Sequence, residues 1–230
     1  MIPVKRILYK TTVSFFMKHD EQTTEESAVL FKGFDTPYSV YNKAHPIQAA
    51  GYNFVIRYIS PDSANFPNKR LKTEEVQGLH TMKVAVGFVW EQGNSASTFN
   101  AANGKLHAQQ AVAVLKSLGV PSNVANPTIA IYLAVDVDVP AAGGVTEYFT
   151  AAHPVVKAAG YLVGVYGSGE VCGVLKSKGL SHYSWLAQST GWSESKGFTA
   201  WDVLQGPSTT AVGLDVDADS AKSLVSFWSA

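Results

Sequence analysis

Eight short apolar runs, each separated from the next by a polar loop or a segment with helical spacing, constrain this chain more than anything else in it. The strand-like runs cover 29–35, 53–60, 83–90, 128–136, 161–166, 183–188, 200–205 and 211–215. Helical patterns lie between them at 41–50, from Thr73 onward, at 101–118, 144–159 and 169–178, and a last helix is expected over 220–228. In 101–118 the apolar residues Leu106, Ala113, Val114 and Leu118 precede Gly119 and Pro121, which stop the helix. Strands that alternate with helices imply parallel pairing through crossover connections. Eight such units in roughly 200 residues match the repeat count of a compact (β/α)8 barrel. An open doubly wound sheet is the rival, and it needs fewer strands. The helix between strands six and seven is degenerate, because 189–197 is polar and contains glycine. The expectation is one α/β domain, a (β/α)8 barrel over 32–230, after a polar N-terminal extension over 1–31.

Charge and cysteine usage narrow the function. Lysine plus arginine number 18 and aspartate plus glutamate number 18, with no basic run, so no field draws nucleic acid or an anionic membrane. A single cysteine, Cys172, excludes an intrachain disulfide framework, and its apolar neighbours suit a buried, inert thiol. No segment has the length of a membrane span. Lys5, Arg6 and Lys10 precede a short apolar stretch at 11–17, but no small-residue cleavage site follows, so a signal peptide is not expected. Export would need another route, and the location stays unassigned. The histidines lack metal-ligand spacing, so no cofactor or metal is expected, and the chain is expected to be a monomer.

The chemistry points to one residue type. Asp136-Val137-Asp138 and Asp215-Val216-Asp217 each stand where a strand-like run stops. Alternate strand residues share a face, so Tyr132, Ala134, Asp136 and Asp138 line one side while Ile131, Leu133, Val135 and Val137 line the other. Gly213, Asp215 and Asp217 likewise share a face. Asp35 ends strand one and Glu91 ends strand three. Barrel active sites lie at the C-terminal ends of the strands, so these acids would ring one mouth. An Asp-x-Asp pair also suits a divalent cation, but no phosphate-binding motif accompanies it. Asp62, Glu74 and Glu75 read as loop and helix-surface charges, and Ser168 as a helix cap.

Lys32-Gly33-Phe34-Asp35, Tyr132 to Asp138, Ser184 to Trp192, Trp201 to Gln205 and Gly213 to Asp217 occur in an order that resembles a known family. It is the glycoside hydrolase-like domain of unknown function, family 1906, distantly similar to the family 25 lysozymes. The resemblance covers 32–230. It implies a barrel acting on bacterial cell-wall glycan or a related chitin-like polymer. By residue match it makes Asp35, Asp136 and Asp215 candidate catalytic carboxylates, with Asp217 a register alternative to Asp215. Where the lysozymes carry a general-acid glutamate this chain has Asp138, one methylene shorter.

Glycosidic cleavage needs one protonated and one ionised carboxyl. The expected acid is Asp138, with Asp136 as nucleophile or electrostatic partner and Asp35 and Asp215 completing an acidic floor. Glu91, Tyr58, Tyr166, Gln188, Trp201 and Asp217 are the expected sugar contacts, because sugar rings pack on aromatic faces and accept polar partners. The Asp138 substitution also admits a second reading, a glycan-binding barrel without useful catalysis. A third keeps the acids as a buried structural network or cation site.

Overall fold

The computed structural model describes residues 29–229. Eight strands close a barrel in chain order: β1 (Phe31–Thr36), β2 (Phe54–Tyr58), β3 (Ala85–Trp90), β4 (Ala130–Ala134), β5 (Leu162–Gly167), β6 (Tyr183–Leu186), β7 (Val203–Ala211) and β8 (Leu214–Ala221). Five helices pack outside: α1 (Ala44–Ala49), α2 (Thr73–Thr81), α3 (Ala101–Ser117), α4 (Thr146–Ala158) and α5 (Gly169–Ser177). The single-domain barrel expected from the strand–helix alternation is present. The N-terminal extension lies almost wholly outside the described residues.

The period-two pattern sorts each strand between two cores. Val55, Val86, Phe88, Ile131, Leu133, Val163 and Val165 point outward and pack with the helices. Phe54, Ile56, Ala85, Val89, Ala130, Tyr132, Ala134, Tyr166, Trp185 and Val203 fill the barrel itself. Large inward rings require small partners on neighbouring strands. A methyl at Gly33 would collide with the Phe54 ring, and one at Gly164 with Tyr132. On the outer face Arg57 is fully buried and pairs with Glu75 of α2 at 2.7 Å. It also donates to the Thr36 carbonyl at 2.6 Å. Glu75 is thus a buried counterion rather than the surface charge its helical position suggested.

The barrel departs from eight β/α repeats at its end. Strands β1 to β7 are parallel, but β8 runs antiparallel to both β7 and β1. No helix joins β6 to β7 or β7 to β8. Val212 and Gly213 both have positive φ (48° and 77°), the signature of a two-residue hairpin turn that leaves no room for a crossover. The helix expected over 220–228 is absent. Ser220 and Ala221 finish β8, and the chain then plugs the N-terminal end of the barrel. Phe227 enters the interior 4.9 Å from the Phe54 ring, Ser226 Oγ lies 2.9 Å from Tyr132 OH, and Trp228 bridges Val86.

Candidate active site

Because β8 is reversed, the C-terminal ends of β1 to β7 meet the beginning of β8, and this is where the acids gather. They surround a cavity of about 220 Å³. Its carboxylates are Glu91, the inward position after Val89 of β3; Asp136, two residues past inward Ala134 of β4; and Asp217 of β8. Tyr58, Tyr166, Trp185 and Trp192 supply aromatic walls, and Gln188 and Gln205 supply amides. Lys69, from the loop after β2, ion-pairs with Glu91 at 2.9 Å and sits 4.2 Å over the Tyr58 ring.

Beneath the cavity two further acids are sealed in the barrel. In the β1–β8 register Asp35 stands opposite Asp217, and Gly33 opposite Asp219. Asp35 is 2 % exposed and Asp219 3 %. Gln205 Nε2 donates to Asp35 Oδ2 at 2.9 Å and Tyr58 OH to Oδ1 at 3.3 Å, while Tyr166 OH donates to Gln205 Oε1 at 2.9 Å. Trp185 Nε1 donates to Asp219 Oδ1 at 3.0 Å, but Asp219 Oδ2 receives no donor from the described residues. Burial, opposed by the Gln205 hydrogen bond and reinforced by Asp217, raises the Asp35 pKa from 3.8 to about 7. Burial and the neighbouring Asp35 charge push Asp219 well above the carboxylate range. A proton kept on Asp219 relieves the acid–acid repulsion with Asp35, so the pair holds protons to higher pH than two exposed aspartates would.

At the cavity wall, burial raises the Asp136 pKa, Glu91 raises it further, and Lys69 partly offsets both. Asp136 therefore holds its proton to higher pH than an exposed aspartate. Glu91 faces it as the carboxylate partner of Lys69. This arrangement sets a carboxyl whose pKa is raised opposite a carboxyl paired with a cation across a single small cavity.

The structure brings together Asp136, Glu91, Tyr58, Tyr166, Gln188 and Asp217, and seats Asp35 just below them. Three other expected residues lie elsewhere. Asp138 is exposed beyond the end of β4, and its carboxylate accepts from Ser193 N at 3.0 Å and Ser193 Oγ at 3.3 Å. The β4 pairing ends at Ala134, so strand alternation no longer fixes the direction of a side chain four residues on. Asp215 is exposed where the β7–β8 hairpin projects past the barrel, paired with Thr210 rather than β1. Trp201 precedes β7 and lies under Lys222, 4.1 Å away, at the opposite end of the barrel. The site also contains Gln205, Asp219, Trp185, Trp192 and Lys69, which sequence reasoning did not single out. Asp219 shares strand parity with Asp217, so reading β8 two residues further exposes it. Nothing in the sequence marks Lys69, whose place depends on loop geometry. Among the described residues no group of three or more His, Cys, Asp or Glu side chains is arranged to hold a metal ion. No described helix is long and apolar enough to cross a membrane.

A closed barrel with an acidic, aromatic-walled mouth defines the glycoside hydrolase-like class of folds. Within it the chain belongs to the Rv2525c-like glycoside hydrolase-like domain family, whose pattern it matches over residues 45–221. It is 26% identical over 165 residues to the protein FadG of Bacillus subtilis strain 168, a match covering 68% of this chain but only 28% of that relative's length. Its fold is that of the Tat-secreted protein Rv2525c of Mycobacterium tuberculosis, solved with L-tartrate: TM-score 0.70, 18% identity, covering 85% of this chain and 96% of the other. It also matches the catalytic domain of endolysin ply40 from a bacteriophage of Listeria monocytogenes, with TM-score 0.54, 15% identity and coverage of 85% and 94%.

Proposed function

We propose that the protein is a glycoside hydrolase that cleaves an N-acetylated glycan of the bacterial cell wall, with Asp136 as general acid and Glu91 as the ionised partner. The observation that carries this reading is the convergence of Asp136 and Glu91 on one cavity, the first with its pKa raised, the second tied to Lys69. Protonation of the leaving oxygen by Asp136 and stabilisation of the oxocarbenium-like transition state by Glu91 are the two tasks of such a pair. Asp217 adds negative potential, and the Asp35–Gln205–Tyr166 chain holds the floor rigid beneath the reacting ring. The choice of cell-wall glycan takes its support from the family and from the barrel shared with an endolysin's catalytic domain. This assignment moves the acid from Asp138 to Asp136, because the Asp138 carboxylate is occupied by Ser193.

A second reading, a barrel that binds glycan without cleaving it, draws on one specific observation: the strand-four glutamate of the lysozymes has no counterpart at the mouth. Reducing-sugar release from purified peptidoglycan, comparing wild type with Asp136→Asn and Asp138→Asn, separates the two. Turnover lost in Asp136→Asn and kept in Asp138→Asn is the expected result. Loss in Asp138→Asn with retention in Asp136→Asn overturns the assignment, and binding without turnover in the wild type favours the second reading.

A further inference from the structure

The catalytic cavity is small. At about 220 Å³ it falls below the roughly 300 to 1,000 Å³ of ordinary ligand pockets, too small for a glycan chain. A second, larger recess of about 440 Å³ opens beside it, between the loops that follow β2 and β3. Glu91 lines both, so the two adjoin at the Lys69–Glu91 ion pair.

The recess has the chemistry of a sugar site rather than of a protein contact. Phe66 is half-buried, with its ring held edge-to-face against Tyr38 at 5.8 Å. Asn65, Gln92 and Asn94 line the recess with it and bring three exposed amides. Its wall is preformed. Ser63 and Phe66 exchange backbone hydrogen bonds at 3.2 and 3.1 Å, Asp62 Oδ1 accepts from Arg70 N at 2.7 Å, and Leu71 N donates to the Tyr58 carbonyl at 2.8 Å. A loop tied down in this way loses little entropy when it receives a ligand.

We propose that the recess lined by Asn65, Phe66, Gln92 and Asn94 is a second glycan subsite, which binds sugar units beyond the disaccharide held at the mouth and makes the protein select chains over disaccharides. The inference rests on the proposed glycan chemistry of the mouth. Phe66 presents a ring face to the apolar side of a pyranose, and the amides meet its hydroxyl and acetamido groups. A single ring stacking on an aromatic adds roughly three- to tenfold in affinity.

The test is calorimetric titration of the Asp136→Asn protein, which does not turn substrate over, with N-acetylglucosamine oligomers of two and of six units. The six-unit chain is expected to bind more tightly, and Phe66→Ala or Asn94→Ala, each added separately, is expected to weaken it roughly three- to tenfold while leaving the two-unit affinity unchanged. Asn94 takes no part in aromatic packing, so its substitution reports even if Phe66→Ala folds poorly. Two-unit binding with no gain for the longer chain, or a gain that survives both substitutions, overturns the subsite and leaves the mouth intact. Failure of both oligomers to bind overturns the subsite together with the glycan reading on which it rests.

Discussion

Asp219→Asn is expected to raise thermal stability at neutral pH and to leave it nearly unchanged in acid. Asp219 is sealed in the barrel against Asp35, and its folded-state pKa lies well above 3.8. The folded state therefore keeps a proton that the unfolded chain releases. Stability linked to that proton is fully present below the unfolded pKa and is lost as pH rises towards the folded one, at about 1.4 kcal/mol per pH unit. Asparagine is neutral throughout, and its carbonyl keeps the Trp185 Nε1 hydrogen bond. A domain of about 200 residues gains roughly 2 to 4 °C in Tm per kcal/mol. The gap between variant and wild type should widen by roughly 3 to 6 °C for each pH unit over which the folded protein keeps that proton, measured by scanning calorimetry at about pH 4 and about pH 6 at constant ionic strength. A gap of equal size at both pH values would refute the reasoning, because Asp219 would then carry no extra proton in the folded state.

Lys69→Met removes the one cation that lowers the Asp136 pKa and leaves Glu91 unopposed. The alkaline limb of the pH–turnover profile should move to higher pH, and a shift to lower pH would contradict Asp136 as the acid. Glu75→Gln strands the fully buried Arg57 guanidinium and should cost about 3 to 5 kcal/mol in denaturant unfolding. Phe227→Ala opens the plugged end of the barrel and should cost about 3 to 5 kcal/mol without altering glycan binding at the far mouth.

What the sequence discloses about this fold follows from which forces are local. The period-two alternation placed Asp136 beside Ala134 and Tyr132 on the inner face, and hydrophobic spacing placed the helices, because both are set by neighbours along the chain. The direction of β8 is not set that way. It depends on two residues, Val212 and Gly213, adopting positive φ, and valine carries no signal for that conformation. Once the hairpin forms, the acids of β8 are counted from the opposite end. Asp215 leaves the barrel, Asp217 takes the mouth opposite Asp35, and Asp219 descends into the barrel opposite Gly33. The same reversal explains the missing last helix. A strand arriving at the N-terminal end of the barrel faces an open hydrophobic interior, and burying Phe227 there removes apolar surface that a helix on the outside would leave uncovered. A resemblance carried residue by residue identifies the strand without identifying the carboxylate that reaches the cavity, because the residue that matches a motif and the residue that reaches the cavity part company wherever strand pairing stops, as it does at Ala134 just before Asp136 and Asp138.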